Sequence, residues 1–178
     1  ICVYANHANE QFGYIKQAKE AGYDVLMLDN VIDNHFMQHL EQKGEMTFVR
    51  VDSDTVDNLV QKDETKESVL SEEEQTKVKD IFTTALGDLN GGQVELKPLS
   101  PNQAPVLITK PEFMRRMKEM QMMQGMNLGD FPDSHNIVVN SNHPFIATKL
   151  LTKPEDEQKE SISYLHKLAL LNQNMLKG

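Results

Sequence analysis

The sequence has one cysteine, no tryptophan and no long apolar run. With Cys2 alone, neither an intrachain disulfide nor a cysteine-based zinc site can form, which fits the reducing cytoplasm. No apolar stretch approaches the ~20 residues that cross a bilayer, and no signal sequence is present. We therefore expect a cytoplasmic protein with no membrane partner.

Positive charge is also scarce. The 178 residues include 18 Lys and Arg against 27 Asp and Glu, which gives a net charge of −9. Nucleic acids and anionic membrane surfaces are bound by clustered Lys and Arg, so this composition predicts neither as a partner. The first residue is not Met, and residues 1–4 read as a strand. We therefore expect a piece of a longer chain.

Motifs for nucleotide, metal or nucleophilic chemistry are absent as well. The first strand-to-helix turn, at residues 5–9, lacks the glycines that bring backbone close to a pyrophosphate. His35 and His39 share a helix face, but Phe36 stands where a zinc protease needs Glu. Asp57 stands where a calcium loop needs Gly. We expect no catalytic residue, no metal and no cofactor in this chain.

The first third of the chain alternates between short apolar strands and helices. Strand-like segments occupy residues 1–4, 24–28 and 47–51. Between them lie two stripes with helical spacing, the first of Phe12, Ile15 and Ala18 and the second of Ile32, His35, Phe36, His39 and Leu40. Strands without polar alternation, joined by helices, indicate a parallel sheet covered on both faces. We predict a small parallel-sheet α/β subdomain at residues 1–62. The composition is acid-rich from Asp52 to Glu74, which predicts a solvated stretch, and we expect the linker between the two domains at residues 63–70.

The remaining residues, 71–178, read as a second domain of α+β type. Ser71 and Glu74 can form a capping box, so a helix should begin at Glu72 and end near Gly87. Strands should follow at residues 93–96, 106–108 and 137–139.

The motif Thr-Lys-Pro-Glu occurs twice, at residues 109–112 and 152–155. Each copy should start a helix, with Thr as the cap and Pro in the first turn. The second of these helices should run from about residue 154 to 176. Its apolar stripe consists of Ile162, Leu165, Leu168, Ala169 and Leu176.

The first of these helices is unusually rich in methionine. Residues 113–126 hold six of the ten methionines in the chain. Met side chains are flexible and polarisable, so a Met-rich face adapts to apolar partners of different shapes. Some of these residues are spaced i, i+4, i+7, as in a buried core stripe, but others lie off that stripe. The segment is therefore either core or a protein-binding face. The candidate binding residues are Phe113, Met114, Met117, Met120 and Met123.

Several segments, taken in order, are similar to one known family. Residues 17–27, 32–33 and 48–52 resemble the end of a middle domain in that family. Residues 140–144, Asn-Ser-Asn-His-Pro, are similar to a strand exit in its C-terminal domain, and residues 161–171 resemble a dimer-forming helix. The resemblance covers nearly the whole chain and is to the ninety-kilodalton heat-shock family of chaperones.

This resemblance implies a homodimeric, ATP-dependent chaperone of the heat-shock response, whose ATP and Mg²⁺ site lies outside this chain. It implies that residues 1–62 end the middle domain. Residues 71–178 would then form a C-terminal dimerisation domain that lacks its last helix, with the stripe of the final helix contributing to the homodimer. The family's client-contacting helix falls on the Met-rich segment, so unfolded client proteins are the implied partners there.

Two other functions stay open at this point. One is an enzymatic or small-molecule-binding α/β domain with an unrecognised active site at its strand ends. The other is a purely structural dimerisation module with no client role. Binding of unfolded polypeptides distinguishes a chaperone from both, and a nucleotide-induced or small-acid-induced rise in melting temperature would favour the enzyme.

Overall fold

Two three-stranded sheets organise the chain, and both pack against helices. The protein therefore has the mixed helix and sheet composition that the sequence predicts, while the domain limits stay a prediction. The computed structural model describes residues 1–44, 46–54, 67–89, 91–110, 135–173 and 175–176.

The first sheet has the strand order β2-β1-β3, and β1 pairs in parallel with both neighbours. Because β1 lies between the other two strands, the connection from β1 to β2 and the connection from β2 to β3 cross the sheet in opposite directions. Since such connections are right-handed, the two helices lie on opposite faces of the sheet. The elements are β1 (Cys2–Ala5), α1 (Phe12–Glu20), β2 (Leu26–Met27), α2 (Val31–Gln42) and β3 (Phe48–Arg50).

The two faces of this sheet form separate apolar clusters, as predicted for a sheet covered on both sides. On one face Val3 of β1 packs with Tyr14 and Ala18 of α1. On the other face Tyr4 of β1 packs with Met37 of α2. Successive residues of a strand point to opposite faces, so adjacent positions in β1 supply both clusters.

Two helix stripes predicted from sequence spacing differ from those that are buried. In α1 the stripe was expected to include Phe12, which is exposed, whereas Tyr14 is buried. In α2 the expected stripe includes Ile32 and Phe36, which are exposed, whereas Met37 is buried. The strands of this sheet are two to four residues long. So small a sheet covers only one or two side chains of each helix.

The second sheet mixes parallel and antiparallel pairing. The strands are β4 (Val94–Lys97), β5 (Val106–Thr109) and β6 (Asn136–Asn140), in the order β4-β6-β5. Strand β6 is parallel to β4 and antiparallel to β5. Helices α3 (Glu72–Leu86) and α4 (Glu155–Asn172) pack on this sheet and on each other.

The predicted start of α3 is confirmed. The backbone N–H of Glu74 donates to the Ser71 hydroxyl oxygen at 3.3 Å, and the N–H of Ser71 donates to the Glu74 carboxylate at 2.9 Å. These hydrogen bonds from Ser71 lower the pKa of the Glu74 carboxyl. Gly87 ends the helix with φ of +66°, a conformation that glycine adopts without steric cost.

The final helix begins within one residue of its predicted start, but its predicted cap and its predicted end are wrong. Thr152 does not cap α4, because its hydroxyl donates to the Lys149 carbonyl at 2.8 Å within the preceding turn. Pro154 takes the capping position without a side-chain hydrogen bond. The helix ends at Asn172, and the N–H of Met175 then donates back to the Leu170 carbonyl at 2.9 Å. The first copy of the motif continues into residues 111–134, outside the described residues.

Parts of the acidic stretch that were expected to be solvated are held by the fold. Asp52 is buried and forms an ion pair with the Arg50 guanidinium. Further along, the N–H of Val69 donates to the Asn142 side-chain oxygen at 2.9 Å. Leu70 is buried in the core of the second sheet. A carboxylate can be buried where a guanidinium satisfies it, and charge composition alone does not reveal that partner.

Two histidines meet where α4 packs beside the start of β6. The rings of His135 and His166 are stacked, with centroids 6.1 Å apart and an interplanar angle of 25°. Burial, and then the proximity of His135, lower the pKa of His166. The folded protein therefore resists protonation of His166 more than the unfolded chain does.

This difference predicts a loss of stability in mild acid. A histidine with a lowered pKa in the folded state binds fewer protons there, so the free energy of unfolding falls as the pH drops below about 6.5. We expect urea titrations to show this fall, and His166→Gln to reduce it, because Gln binds no proton. His7→Gln, at an exposed position, should keep the wild-type pH dependence. Identical profiles for His166→Gln and wild type would contradict the prediction.

Candidate functional site

The described residues do not form a cluster of metal-binding side chains. They contain no group of three or more His, Cys, Asp or Glu side chains that could hold a metal ion. A groove of about 490 Å³ between α3 and α4 is lined by Lys77 and Asp80 on one side and by Glu155 and Lys159 on the other. Charges of both signs therefore balance there, and no net field favours an anionic or a cationic ligand.

Of the helices in the described part of the chain, none combines the length and the apolar character needed to cross a membrane.

The candidate client-binding residues Phe113, Met114, Met117, Met120 and Met123 all lie outside the described residues. Their role stays a prediction from the sequence and the resemblance. The described structure ends at Lys110 before this segment and resumes at His135 after it.

The predicted apolar residues of α4 divide into two groups. Ile162 and Ala169 are buried in the core of the second sheet, and Leu165 packs against that core. Leu168 and Leu176 are exposed to solvent. The first group therefore holds α4 to its own sheet, and the second group is available to a partner.

The outer face of α4 carries a stripe that sequence inspection did not isolate. Tyr164, Leu168 and Leu171 are 62%, 37% and 56% exposed and follow the i, i+4, i+7 spacing of one helix face. The inner face of the same helix is already buried against α3 and β5. Tyr164, Leu168 and Leu171, the α4 stripe, thus form an apolar surface that is partly exposed to solvent.

The first sheet also leaves large apolar side chains exposed. Ile32 and Phe36 on α2 are 72% and 53% exposed, one turn apart on one helix face. Leu26 and Met27 of the edge strand β2, which were expected to form a fully apolar inner strand, are about half exposed. A signal was present in the sequence: α2 has apolar residues around most of its circumference, more than a small sheet can cover.

Helix α1 presents a third apolar feature of a different character. A shallow cavity of about 360 Å³ is lined by Phe12 and Ile15 together with Lys16, Lys19 and Glu20. The Lys16 ammonium lies 3.8 Å from the Glu20 carboxylate, so charges of both signs flank the apolar side chains. The described residues thus present exposed large apolar side chains on α1, α2 and α4.

Comparison with known proteins identifies the family of this chain. The family model described as Hsp90 protein matches residues 4–177 of this chain. The chain is 42% identical over 165 residues to the chaperone protein HtpG of Bacteroides fragilis strain 638R, which covers 90% of this chain and 24% of the relative. It is 38% identical over 170 residues to HtpG of Porphyromonas gingivalis strain ATCC 33277, covering 93% of this chain and 25% of the relative.

A more distant relative is HtpG of Wolinella succinogenes, 32% identical over 156 residues, covering 85% of this chain and 24% of the relative. This chain spans about a quarter of the length of the curated relatives it matches. The resemblance inferred from short motifs is thereby confirmed. With the family model matching from residue 4 to residue 177, this chain belongs to the Hsp90 family.

Proposed function

We propose that this chain is the client-binding and dimerisation part of an ATP-dependent heat-shock chaperone that works in the cytoplasm. The observation that carries the proposal is the exposure of large apolar side chains on α1, α2 and α4 in a member of the Hsp90 family. Solvent-exposed apolar surface of this kind is typical of sites that bind other proteins.

Client binding in this proposal uses adaptable apolar contacts. Unfolded proteins expose apolar side chains in many arrangements, so a surface that receives them needs flexible side chains rather than one rigid pocket. The Met-rich segment at residues 113–126 meets that need, and the exposed pair Ile32 and Phe36 on α2 adds apolar area. The net charge of −9 opposes self-aggregation of such a surface.

Dimerisation in this proposal uses the α4 stripe. Since Ile162 and Ala169 already fill the protein's own core, a second copy would contact Tyr164 and Leu171 in addition to the exposed Leu168. Helix faces of this spacing pack against each other in bundles. In the family bundle a further helix joins this one, so the contact made by α4 alone should be weak.

The client site is tested by adding charge to the Met-rich segment. Met117→Asp with Met120→Asp should weaken binding of a chemically unfolded protein about tenfold or more, because a carboxylate does not replace an apolar contact. Cooperative unfolding of the chain should be retained. Gln121→Asp with Gln124→Asp adds the same charge at the same spacing and should leave binding nearly unchanged. Binding is measured by fluorescence anisotropy of the labelled unfolded protein.

Loss of the cooperative unfolding transition in the methionine double variant would contradict the client-site proposal. Burying an unpaired carboxylate costs several kcal/mol, so such a loss would mean that the stripe is core.

ATP turnover provides a second test. We expect this chain alone to hydrolyse no ATP, because residues 1–178 contain no phosphate-binding glycine motif. The measurement is phosphate release by a highly purified sample. Turnover that a substitution within the chain abolishes would favour the enzymatic alternative.

Self-association tests the dimerisation proposal. Sedimentation velocity over a wide concentration range should show weak, concentration-dependent association of the wild-type chain. Leu168→Lys with Leu171→Lys should abolish it, because two charges replace the apolar contact. Asp156→Lys changes the net charge equally in the first turn of α4 and should still associate. Association that persists in the double variant would exclude the α4 stripe, and a tight discrete dimer of wild type would count against the family bundle model.

A further inference from the structure

The two sheets are joined by hydrogen bonds between residues that are far apart in the sequence. The Tyr14 hydroxyl, on α1 of the first sheet, donates to the carbonyl of Ile108 in β5 of the second sheet. Two residues beyond, the N–H of Lys110 donates to the carbonyl of Asp52, just after β3, at 3.0 Å. Both bonds tie the end of β5 to the first sheet.

Tyr14 contacts both halves of the protein. Its ring packs in the apolar cluster of the first sheet with Val3 and Ala18. The side chain is buried, and this burial, followed by the nearby charge of Asp52, raises the pKa of the Tyr14 hydroxyl well above its usual range. The hydroxyl therefore keeps its proton at all physiological pH values and remains a donor to the Ile108 carbonyl.

The turn that presents the Asp52 carbonyl is held in place by local bonds. The Arg50 guanidinium donates to both Asp52 carboxylate oxygens, at 2.5 and 3.1 Å. The N–H and the hydroxyl of Ser53 both donate to the Arg50 carbonyl, at 2.9 and 2.7 Å. These bonds hold the turn in which the Asp52 backbone carbonyl accepts from the N–H of Lys110.

A third contact joins the sheets near the surface. The Lys97 ammonium, at the end of β4, lies 2.6 Å from the Asp54 carboxylate and 3.3 Å from that of Glu95. The Lys97 side chain is only 17% exposed. Partial burial reduces solvent screening, so this ion pair is stronger than one on an open surface.

We propose that these contacts form one junction clamp, in which Tyr14 and Asp52 are positioning residues that fix the end of β5 against the first sheet. Units joined by a linker move relative to each other unless their interface holds them. The junction clamp joins the two sheets at three separate points. It therefore fixes one arrangement of the two sheets relative to each other.

The clamp has a consequence for client binding. Lys110 immediately precedes the segment with the proposed client residues, so the clamp determines where that segment begins relative to the first sheet. Motion delivered to the first sheet would then move the start of the client segment directly. This consequence rests on the proposed function, whereas the clamp itself does not.

Hydrogen exchange of the Lys110 amide, measured by NMR on the 178-residue chain, tests the clamp. Tyr14→Phe keeps the ring in its cluster and removes only the hydroxyl. If the contacts act together, the Lys110 amide should exchange about fivefold to tenfold faster, although its own hydrogen bond is not altered by the substitution. Tyr164→Phe makes the same chemical change at an exposed site and should leave this rate unchanged.

A second variant shows whether the contacts form a unit. Lys97→Met removes the ion pair near the surface, and it should also speed exchange at Lys110. In the double variant the two effects on the logarithm of the rate should not add, because either substitution already opens the clamp. Additive effects, or an unchanged Lys110 rate in both single variants, would overturn the proposal.

Should Tyr14→Phe fail to fold, Lys97→Met alone decides, since faster exchange at Lys110 supports the clamp and an unchanged rate overturns it. Client binding enters none of these measurements, so the clamp and the proposed function can fail separately.

Discussion

Burial of strand β6 is the constraint on which the second half of the protein depends. Ile137, Val138, Val139 and Asn140 are all inaccessible to solvent, and β6 pairs with both other strands of its sheet. A central strand can carry a polar residue only if its groups are satisfied. The Asn140 side chain meets this condition, because it accepts from the N–H of Leu99 at 3.2 Å and donates to the Ser100 carbonyl at 2.8 Å. Helices α3 and α4 then cover the apolar residues of the sheet.

The first sheet is built by the same rules but is too small to bury its helices fully. Each face of β1 supplies only one or two apolar residues, and α1 and α2 cover them with Tyr14 and Met37. Several other large apolar side chains, among them Ile32 and Phe36, are exposed to solvent. The proposed function assigns this exposed surface to contacts with other proteins, while the sheets themselves stay packed.

The sequence was most informative where structure depends on neighbours along the chain. Ser71 and Glu74 predicted the start of α3 because a capping box needs only residues three apart. Thr152 failed as a cap, although its motif is similar, because a preceding turn uses its hydroxyl. Asp52 was expected in a solvated stretch, but Arg50 pairs with it and its carbonyl reaches Lys110. Such outcomes depend on contacts that spacing along the chain does not reveal.

The amino-acid sequence by itself determined the order of helices and strands, the parallel first sheet and membership of the Hsp90 family. These follow from short-range periodicity, turn chemistry and short motifs in a given order, which can all be read from residues that are close together in the sequence. Only the packing of sheets and helices decided which face of each helix is buried. On α4, for example, the adjacent apolar residues Leu168 and Ala169 are exposed and buried, respectively. The hydroxyl of Tyr14 reaches Ile108 across 94 positions, and a contact of that range exists only in the folded chain.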